Sequence, residues 1–168
     1  SDVCSSDLGK AMYLSENHDR QRALDIVRAS SSLPYVSKIV EVDGIPMLDG
    51  GIADSIPVQH AIDMGWQHNV VVLTRNKGWR DMGKDHKIPY LYKNYPRLRV
   101  ALSHRHRAYN EQIQLVDDLE AAGKITCIRP IRPLEVGRIE KDTDKLERLY
   151  EEGFMLGEAF CEKCVEKE

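Results

Sequence analysis

Long apolar stretches are absent from this sequence of 168 residues, of which 42% are hydrophobic and 30% charged. The longest one, residues 69–73 (Asn-Val-Val-Val-Leu), is far shorter than the ~20 residues that a membrane-spanning helix requires. A spanning helix is therefore excluded, and the run is typical of a buried strand. A chain of this length and composition can bury one hydrophobic core, so we expect a single domain-sized body.

Cysteine is scarce, and the four residues of this type are Cys4, Cys127, Cys161 and Cys164. Only the last two have a spacing found in metal sites, and no second pair completes a ligand set. We predict no metal and no redox centre, with Cys161 directed inward from a helix. This usage favours a reduced, cytoplasmic setting. The glycine patterns of phosphate loops and dinucleotide sites are missing too, and we expect no cofactor.

A net positive charge is also missing, because the formal net charge is −3. Nucleic acid is excluded as the main partner, since phosphate binding usually needs a basic face. The charge is nevertheless uneven. Residues 75–107 carry ten Lys and Arg against two Asp, and residues 140–168 carry ten acidic residues against five basic ones. The basic segment could attract an anionic substrate or a peripheral membrane surface; alternatively, the two segments neutralise each other.

The densest part of the basic segment is the run His104-Arg105-His106-Arg107. Arg105 and Arg107 are candidates for contact with lipid phosphates, since guanidinium groups pair well with phosphate oxygens. The alternative interpretation is the start of a helix with a solvated face.

The first eight residues, Ser-Asp-Val-Cys-Ser-Ser-Asp-Leu, are polar, without periodicity and unlike the rest of the chain. We interpret residues 1–8 as non-native sequence and expect native sequence from about Gly9. On that interpretation the natural amino-terminus, with any targeting signal, lies upstream.

Local patterns predict helices that alternate with short strands, which is the pattern of an α/β fold with helices on the faces of a sheet. Asp19 is positioned to cap a helix over 20–30, which ends before Pro34. Asp43-Gly44 joins two β-rich runs, 36–42 and 45–48, and predicts a hairpin. Further elements are predicted as a helix over 57–64, a strand over 70–74, a helix over 104–122, a strand over 125–129 and a helix over 142–164.

The last two helices carry apolar stripes. The stripe of the first consists of Ala108, Gln112, Leu115, Leu119 and Ala122, widened by Ile113 and Val116. The second helix is expected to bury Leu146, Leu149, Tyr150, Gly153, Gly157, Phe160 and Cys161.

One aspartate is a candidate for chemistry, because Asp49 leaves an apolar strand directly into Gly50 and Gly51. The glycines remove side chains around the carboxylate and permit a sharp turn. A carboxylate at a strand end could accept a proton from a hydroxyl on a neighbouring loop. Asp-Gly-Gly is also ordinary turn chemistry, so these three residues alone leave both interpretations open.

Other polar residues nearby have structural interpretations. Asp54 is expected to cap the helix that begins at Pro57. Ser30, Ser31 and Ser32 are expected to cap a helix end and form a turn rather than act as nucleophiles.

Two blocks in order resemble the patatin-like phospholipase family. Residues 29–34 (Ala-Ser-Ser-Ser-Leu-Pro) are similar to its Ala-Ser-x-x-x-Pro segment, and residues 48–58 (Leu-Asp-Gly-Gly-Ile-Ala-Asp-Ser-Ile-Pro-Val) resemble its Asp-Gly-Gly/Ala block. Residues 72–75 (Val-Leu-Thr-Arg) resemble the next strand in bacterial members. The resemblance covers about residues 20–80. It implies a partial three-layer fold, with a mainly parallel sheet flanked by helices.

The resemblance also implies a serine acyl-ester hydrolase that acts on lipids or other acyl esters without metal or cofactor. In this family an aspartate takes the proton directly from the serine of a Gly-x-Ser-x-Gly segment. Asp49 maps onto that aspartate, and Gly50 and Gly51 map onto its glycines. Ser55 stands where many relatives have Asn.

The sequence departs from the family in one respect that matters for activity. None of its ten serines lies in a Gly-x-Ser-x-Gly segment, and no glycine-rich oxyanion loop is present. We predict that residues 9–90 form the carboxyl-terminal half of a patatin-like catalytic domain, that 91–168 form a mostly helical extension packed on it, and that the chain alone is inactive. The alternative is a non-catalytic relative that binds lipid or protein through the basic segment 75–107.

Overall fold

The contacts in the computed structural model, which describes residues 2–6, 9–83, 92–137 and 140–165, divide the chain into two compact units. The first comprises residues 1–57 and 81–115, and the second comprises residues 58–80 and 116–168. Each has its own elements, so the single core expected from chain length is not confirmed.

A four-stranded antiparallel sheet lies at the centre of the first unit. Its strands, in spatial order, are β2 (Ala11–Leu14), β1 (Asp2–Ser6), β4 (Ile45–Asp49) and β3 (Val40–Val42). All three neighbouring pairs are antiparallel, so the predicted mainly parallel sheet is not confirmed by these strands. A short connection such as the one between β3 and β4 allows only antiparallel pairing. The interpretation of residues 1–8 as non-native stays a prediction.

The hairpin predicted at Asp43-Gly44 is confirmed. Val42 pairs with Ile45, and the two turn residues have φ angles of 53° and 74°, as a two-residue turn between twisted strands requires. The first strand begins at Val40, four residues later than expected.

Helix α1 (Arg20–Ser30) covers one face of this sheet. It begins where predicted, because the Asp19 side chain accepts hydrogen bonds from the backbone N–H groups of Gln21 and Arg22. Its buried side chains Ile26 and Ala29 form a hydrophobic cluster with Val42 and Met47. Burial of a large aliphatic side chain contributes about 1.5–3 kcal/mol, so this cluster is a main source of stability for the unit.

Leu48, the next residue after Met47, belongs to a different cluster because successive strand residues point to opposite faces. It is buried with Ile52, Tyr92 and Leu98. Leu98 lies near the start of helix α3 (Pro96–Ala121), whose amino-terminal part belongs to the first unit. The helix begins eight residues earlier than predicted, with proline at its first position, where a missing N–H costs nothing.

The second unit contains a two-stranded parallel sheet and the remaining helices. Its elements are α2 (Val58–Asp63), β5 (Asn69–Val72), the end of α3, β6 (Ile125–Ile128) and α4 (Thr143–Val165). Strands β5 and β6 are parallel. Gly65 and Gly123, which lie just after α2 and α3, have φ angles of 90° and 68°, which fits the left-handed residue that often terminates a helix.

Helix α4 is less buried than predicted. Leu146 is 43% exposed and Tyr150 is 71% exposed, and Cys161 is exposed as well, so the prediction of an inward face through these three residues was wrong. A helix of 23 residues is about 34 Å long, whereas two strands lie only about 4.8 Å apart. The two strands in the described part of the second unit are therefore too narrow a sheet to cover the apolar face of α4 along its whole length.

A charged cluster joins β6 to the end of α3. The Arg129 side chain, 9% exposed, contacts Asp117 at 2.9 Å and Glu120 at 2.8 Å. Burial raises the pKa of Asp117, but hydrogen bonds from Arg129 and Arg80 outweigh it and hold that pKa below its ordinary value. No helix within the described ranges is long and apolar enough to cross a membrane.

Candidate active site

Asp49 is the last residue of β4, and its carboxylate turns back onto the adjoining loop. Oδ1 accepts a hydrogen bond of 2.7 Å from the backbone N–H of Gly51. This contact caps a short 3-10 turn, Gly50–Ile52, so the Asp-Gly-Gly sequence does form a tight turn. Asp49 is only partly buried. Its carboxylate is thus oriented by its own loop while part of the residue faces the surroundings.

Three side chains converge at the position that a side chain of residue 51 would occupy. The point that a Cβ atom would occupy lies 3.0 Å from Asp49 Oδ1, 3.7 Å from Ser55 Oγ and 3.9 Å from Arg105 Nη2. A contact of 3.0 Å is shorter than carbon and oxygen atoms tolerate without displacement. The absence of a side chain at residue 51 therefore allows a carboxylate, a hydroxyl and a guanidinium to approach one another.

The backbone carbonyl of Gly51 is the second fixed point of the loop. It accepts a hydrogen bond of 2.8 Å from Ser55 Oγ and another of 2.8 Å from Arg105 Nε. Arg105 lies on α3, so the loop after β4 is tied to that helix within the first unit. The Ser55 hydroxyl proton is used in this contact.

Asp54 was expected to cap α2, but its carboxylate is used elsewhere. Oδ1 accepts a hydrogen bond of 2.9 Å from Gln112 Nε2, and Oδ2 accepts one from the Tyr13 hydroxyl. Gln112 also accepts hydrogen bonds at Oε1 from the backbone N–H groups of Ser55, at 3.0 Å, and Ile56, at 3.2 Å. The capping prediction for Asp54 was therefore wrong, because two distant side chains compete for its oxygens.

The serines near Asp49 have structural roles. Ser32 is buried, and its hydroxyl donates a hydrogen bond of 2.6 Å to the Arg28 carbonyl at the end of α1. The carbonyl of Ser32 accepts from the backbone N–H of Asp49 at 3.0 Å. The prediction that this serine stabilises a helix end and a turn is confirmed.

The two arginines predicted to contact lipid phosphates differ in position. Arg105 is partly buried against the Asp49 loop, whereas Arg107 is exposed. The basic segment 75–107 itself includes residues 84–91, which lie outside the described residues. Phosphate contact stays a prediction for both arginines.

No group of three His, Cys, Asp or Glu side chains in the described part of the chain is arranged to hold a metal ion. The polar side chains near Asp49 are the Ser55 hydroxyl and the Arg105 guanidinium, and those that contact Asp54 are the Gln112 amide and the Tyr13 hydroxyl; all four suit hydrogen bonding.

Sequence reasoning pointed to Asp49, Gly50 and Gly51, whose role stays a prediction, and did not point to Gln112 or Tyr13. Gln112 was assigned to the apolar stripe of α3. A polar residue within such a stripe, seven positions after Arg105 and on the same helix face, is the pattern that could have indicated its role. Nothing in the local sequence around Tyr13 indicates a partner 41 residues away.

Comparison with known proteins supports the family that the two sequence blocks, residues 29–34 and 48–58, resemble. Residues 11–62, which include α1, β4 and Asp49, match the patatin-like phospholipase family model. Residues 95–166, which include α3, β6 and α4, match a domain of unknown function (DUF6363). The first match supports a relationship of this segment to the patatin-like phospholipase family. The mixed helix and strand content fits an α/β fold.

Among individual proteins, the chain is similar to YjjU, an uncharacterised protein of Escherichia coli (strain K12). The two are 28% identical over 151 residues, which cover 84% of this chain and 41% of YjjU. The chain therefore spans about two fifths of the length of that relative.

Proposed function

We propose that this chain supplies the aspartate of a Ser–Asp dyad in a patatin-like acyl hydrolase, with Asp49 as the general base. The observation that carries the proposal is the state of its carboxylate. Oδ1 is held by the Gly51 N–H, while Oδ2 receives no hydrogen bond from the described part of the chain. A fixed carboxylate with one available oxygen can accept a proton without first giving up a partner.

In the proposed reaction, Asp49 takes the proton of a serine hydroxyl as the serine oxygen attacks the acyl carbonyl carbon. The proton then passes to the departing alcohol, which leaves an acyl-serine ester. Water then attacks the acyl carbon as it gives a proton to Asp49. The bond between that carbon and the serine oxygen breaks, the serine oxygen takes the proton from Asp49, and the carboxylic acid leaves. The substrate class is a lipid or another acyl ester.

The nucleophile is proposed to come from outside these 168 residues. Ser32 and Ser55 donate their hydroxyl protons to the carbonyls of Arg28 and Gly51, and no Gly-x-Ser-x-Gly segment is present. The 168-residue chain alone is therefore expected to show no ester turnover above background.

The test is Asp49→Asn in the protein expressed from the complete reading frame. The amide keeps the size of the side chain but cannot take a proton from serine. We expect kcat for a p-nitrophenyl ester to fall about a hundredfold to ten-thousandfold, the usual contribution of a general base. Circular dichroism and the melting temperature are expected to stay close to the wild-type values.

Asp63→Asn is the matched control, because Asp63 is exposed on α2 and takes no part in the proposed chemistry. It should retain wild-type turnover. The assignment of Asp49 as general base would be wrong if the Asp49→Asn protein kept its activity. It would also be wrong if the complete reading frame contained no Gly-x-Ser-x-Gly segment.

A non-catalytic relative that binds lipid or protein through residues 75–107 is the alternative, and it has less support. Arg105, one of its two lead residues, is already engaged by the Gly51 carbonyl. It would gain support if vesicle binding were lost in the variant Arg105→Ser with Arg107→Ser while the complete protein showed no ester turnover.

A further inference from the structure

We infer that Gln112 and Arg105, two side chains of α3, are positioning residues for the Asp49 loop. They lie in the region that matches a domain of unknown function, so the inference gives part of that region a role. The positioning role in catalysis rests on the proposed function. The anchoring of the loop can be measured in a protein that has no activity.

Gln112 holds the segment just after the Asp-Gly-Gly turn with both polar atoms of its side chain. Oε1 accepts from two consecutive backbone N–H groups, those of Ser55 and Ile56, and Nε2 donates to Asp54 Oδ1. An amide can accept and donate at once, which a carboxylate or an ammonium cannot do in this arrangement. The residue type therefore matches the loop it holds.

Arg105 holds the turn itself. Its Nε donates a hydrogen bond of 2.8 Å to the carbonyl of Gly51. The N–H of the same residue orients the Asp49 carboxylate. Gly51 is thus tied to Asp49 through its amide and to α3 through its carbonyl. Displacement of α3 relative to β4 would move the carboxylate.

The two anchors act together because they share one face of a rigid element. Residues 105 and 112 are two helical turns apart, about 10 Å along the axis, in a helix of 26 residues. Reacting groups must be held within about 0.5 Å of their productive positions. A loop tied to a helix at two points meets that demand better than a loop tied at its ends alone.

The first experiment is amide hydrogen exchange on the full 168-residue chain. Gln112→Ala removes the acceptor of two backbone N–H groups, so exchange at Ser55 and Ile56 should become about tenfold to a hundredfold faster, as expected for lost hydrogen bonds. Gln114→Ala, at an exposed glutamine on the same helix, should leave these two amides unchanged. Equal exchange in Gln112→Ala and wild type would overturn the inference.

Exchanging the amide of residue 112 and the carboxylate of residue 54 tests the same contact. A general packing effect would not explain a loss of protection that the second substitution restores. Gln112→Glu places a carboxylate against that of Asp54, so the loop should loosen. Adding Asp54→Asn restores a donor facing residue 112 and keeps an oxygen for the Tyr13 hydroxyl, so protection should return. Failure of the second substitution to restore protection would contradict the assigned contact.

The activity measurement uses the complete gene product. Gln112→Ala should lower kcat about tenfold with little change in KM, because the substrate still binds while the base is less often in place. Loosened exchange with wild-type kcat would show that the anchor is structural only and would overturn the positioning role. A wild-type protein without turnover would overturn the proposed function, and the exchange experiment would still decide whether α3 holds the loop.

Discussion

Asp49 and Asp54 are five residues apart in the same loop but have different surroundings. Both oxygens of Asp54 accept side-chain hydrogen bonds, from Gln112 and Tyr13. Asp49 accepts only a backbone N–H from the described residues. The carboxylate whose two oxygens are engaged ties the loop to other elements, and the one with an available oxygen is the proposed proton acceptor.

This difference explains how much of the site the sequence could predict. Asp49 and its glycines could be singled out because the turn that they form depends on neighbours in sequence. The role of Asp54 depends on Tyr13, 41 residues before it, and on Gln112, 58 residues after it. Local capping rules describe what a residue can do, but tertiary contacts decide which of those options is used.

Two other carboxylates share one arginine in the first unit. Arg22 contacts Glu16 and Asp43, each at 2.8 Å. The pKa of Glu16 is lowered to about 2, first by the backbone N–H groups of His18 and Asp19 and then by Arg22. The pKa of Asp43 is also lowered, and there Arg22 is the leading cause.

Removal of the arginine should therefore separate the two titrations. In Arg22→Ala we expect the pKa of Asp43 to return to about its ordinary 3.8. The pKa of Glu16 should stay well below 4.5, because its backbone hydrogen bonds remain. Carboxyl chemical shifts measured by NMR from about pH 7 to pH 2 report both values. Equal recovery of the two pKa values would show that the backbone contacts of Glu16 are unimportant.

The sign of the stability effect is set by the same shifts. Both pKa values are depressed in the folded protein, so the stabilisation is complete above the ordinary values of 4.5 and 3.8. It is lost as the pH falls through the folded values, about 2 in the case of Glu16. Wild type and Arg22→Ala should thus differ in melting temperature near neutral pH and converge as the pH approaches about 2.

At the scale of elements, prediction succeeded where a short stretch of sequence contains its own signals. Helix α1 has its cap at Asp19, and the hairpin has Asp43-Gly44. Prediction was poorer for α4. Its apolar residues do lie on a helix, but several of those predicted to be buried are exposed. Periodicity fixes which residues share a face, whereas burial of that face depends on the partner that tertiary structure brings to it.

The hairpin turn gives a test of backbone conformation alone. Gly44 has a φ of 74°, and a Cβ added there would meet no atom within 4 Å. Gly44→Ala should therefore destabilise the first unit by about 1 kcal/mol through backbone strain only. Gly153→Ala is the matched control, because that residue also has open space but lies in α4; there alanine should stabilise slightly. Thermal melts compare the two, and equal effects would exclude the conformational explanation.

At the scale of the whole molecule, two family segments meet within one compact unit. Residues 11–62 provide Asp49 and its loop, and the start of the 95–166 segment provides the helix that contacts them. The sequence suggested a boundary near residue 90, and that division stays a prediction. Such a boundary would not separate two independent structures, since Arg105 and Gln112 of the second segment donate to and accept from the loop of the first.

Apolar surface on the second unit leads to a prediction about the isolated chain. Val70 is 49% exposed and Val72 is 71% exposed, and both lie on one face of β5, which pairs only with β6 among the described strands. An exposed apolar strand face and an open sheet edge favour association with another chain. We therefore expect the purified 168-residue chain to self-associate as its concentration rises.

Size-exclusion chromatography with light scattering can measure this. Val72→Lys places a charge on the exposed face of β5 and should shift the chain toward the monomer. Val36→Lys should not, because Val36, although 82% exposed, lies in a loop and offers no strand to pair with. A wild-type chain that stays monomeric at every concentration and melts in one sharp transition would mean that the second unit is stable with this face uncovered.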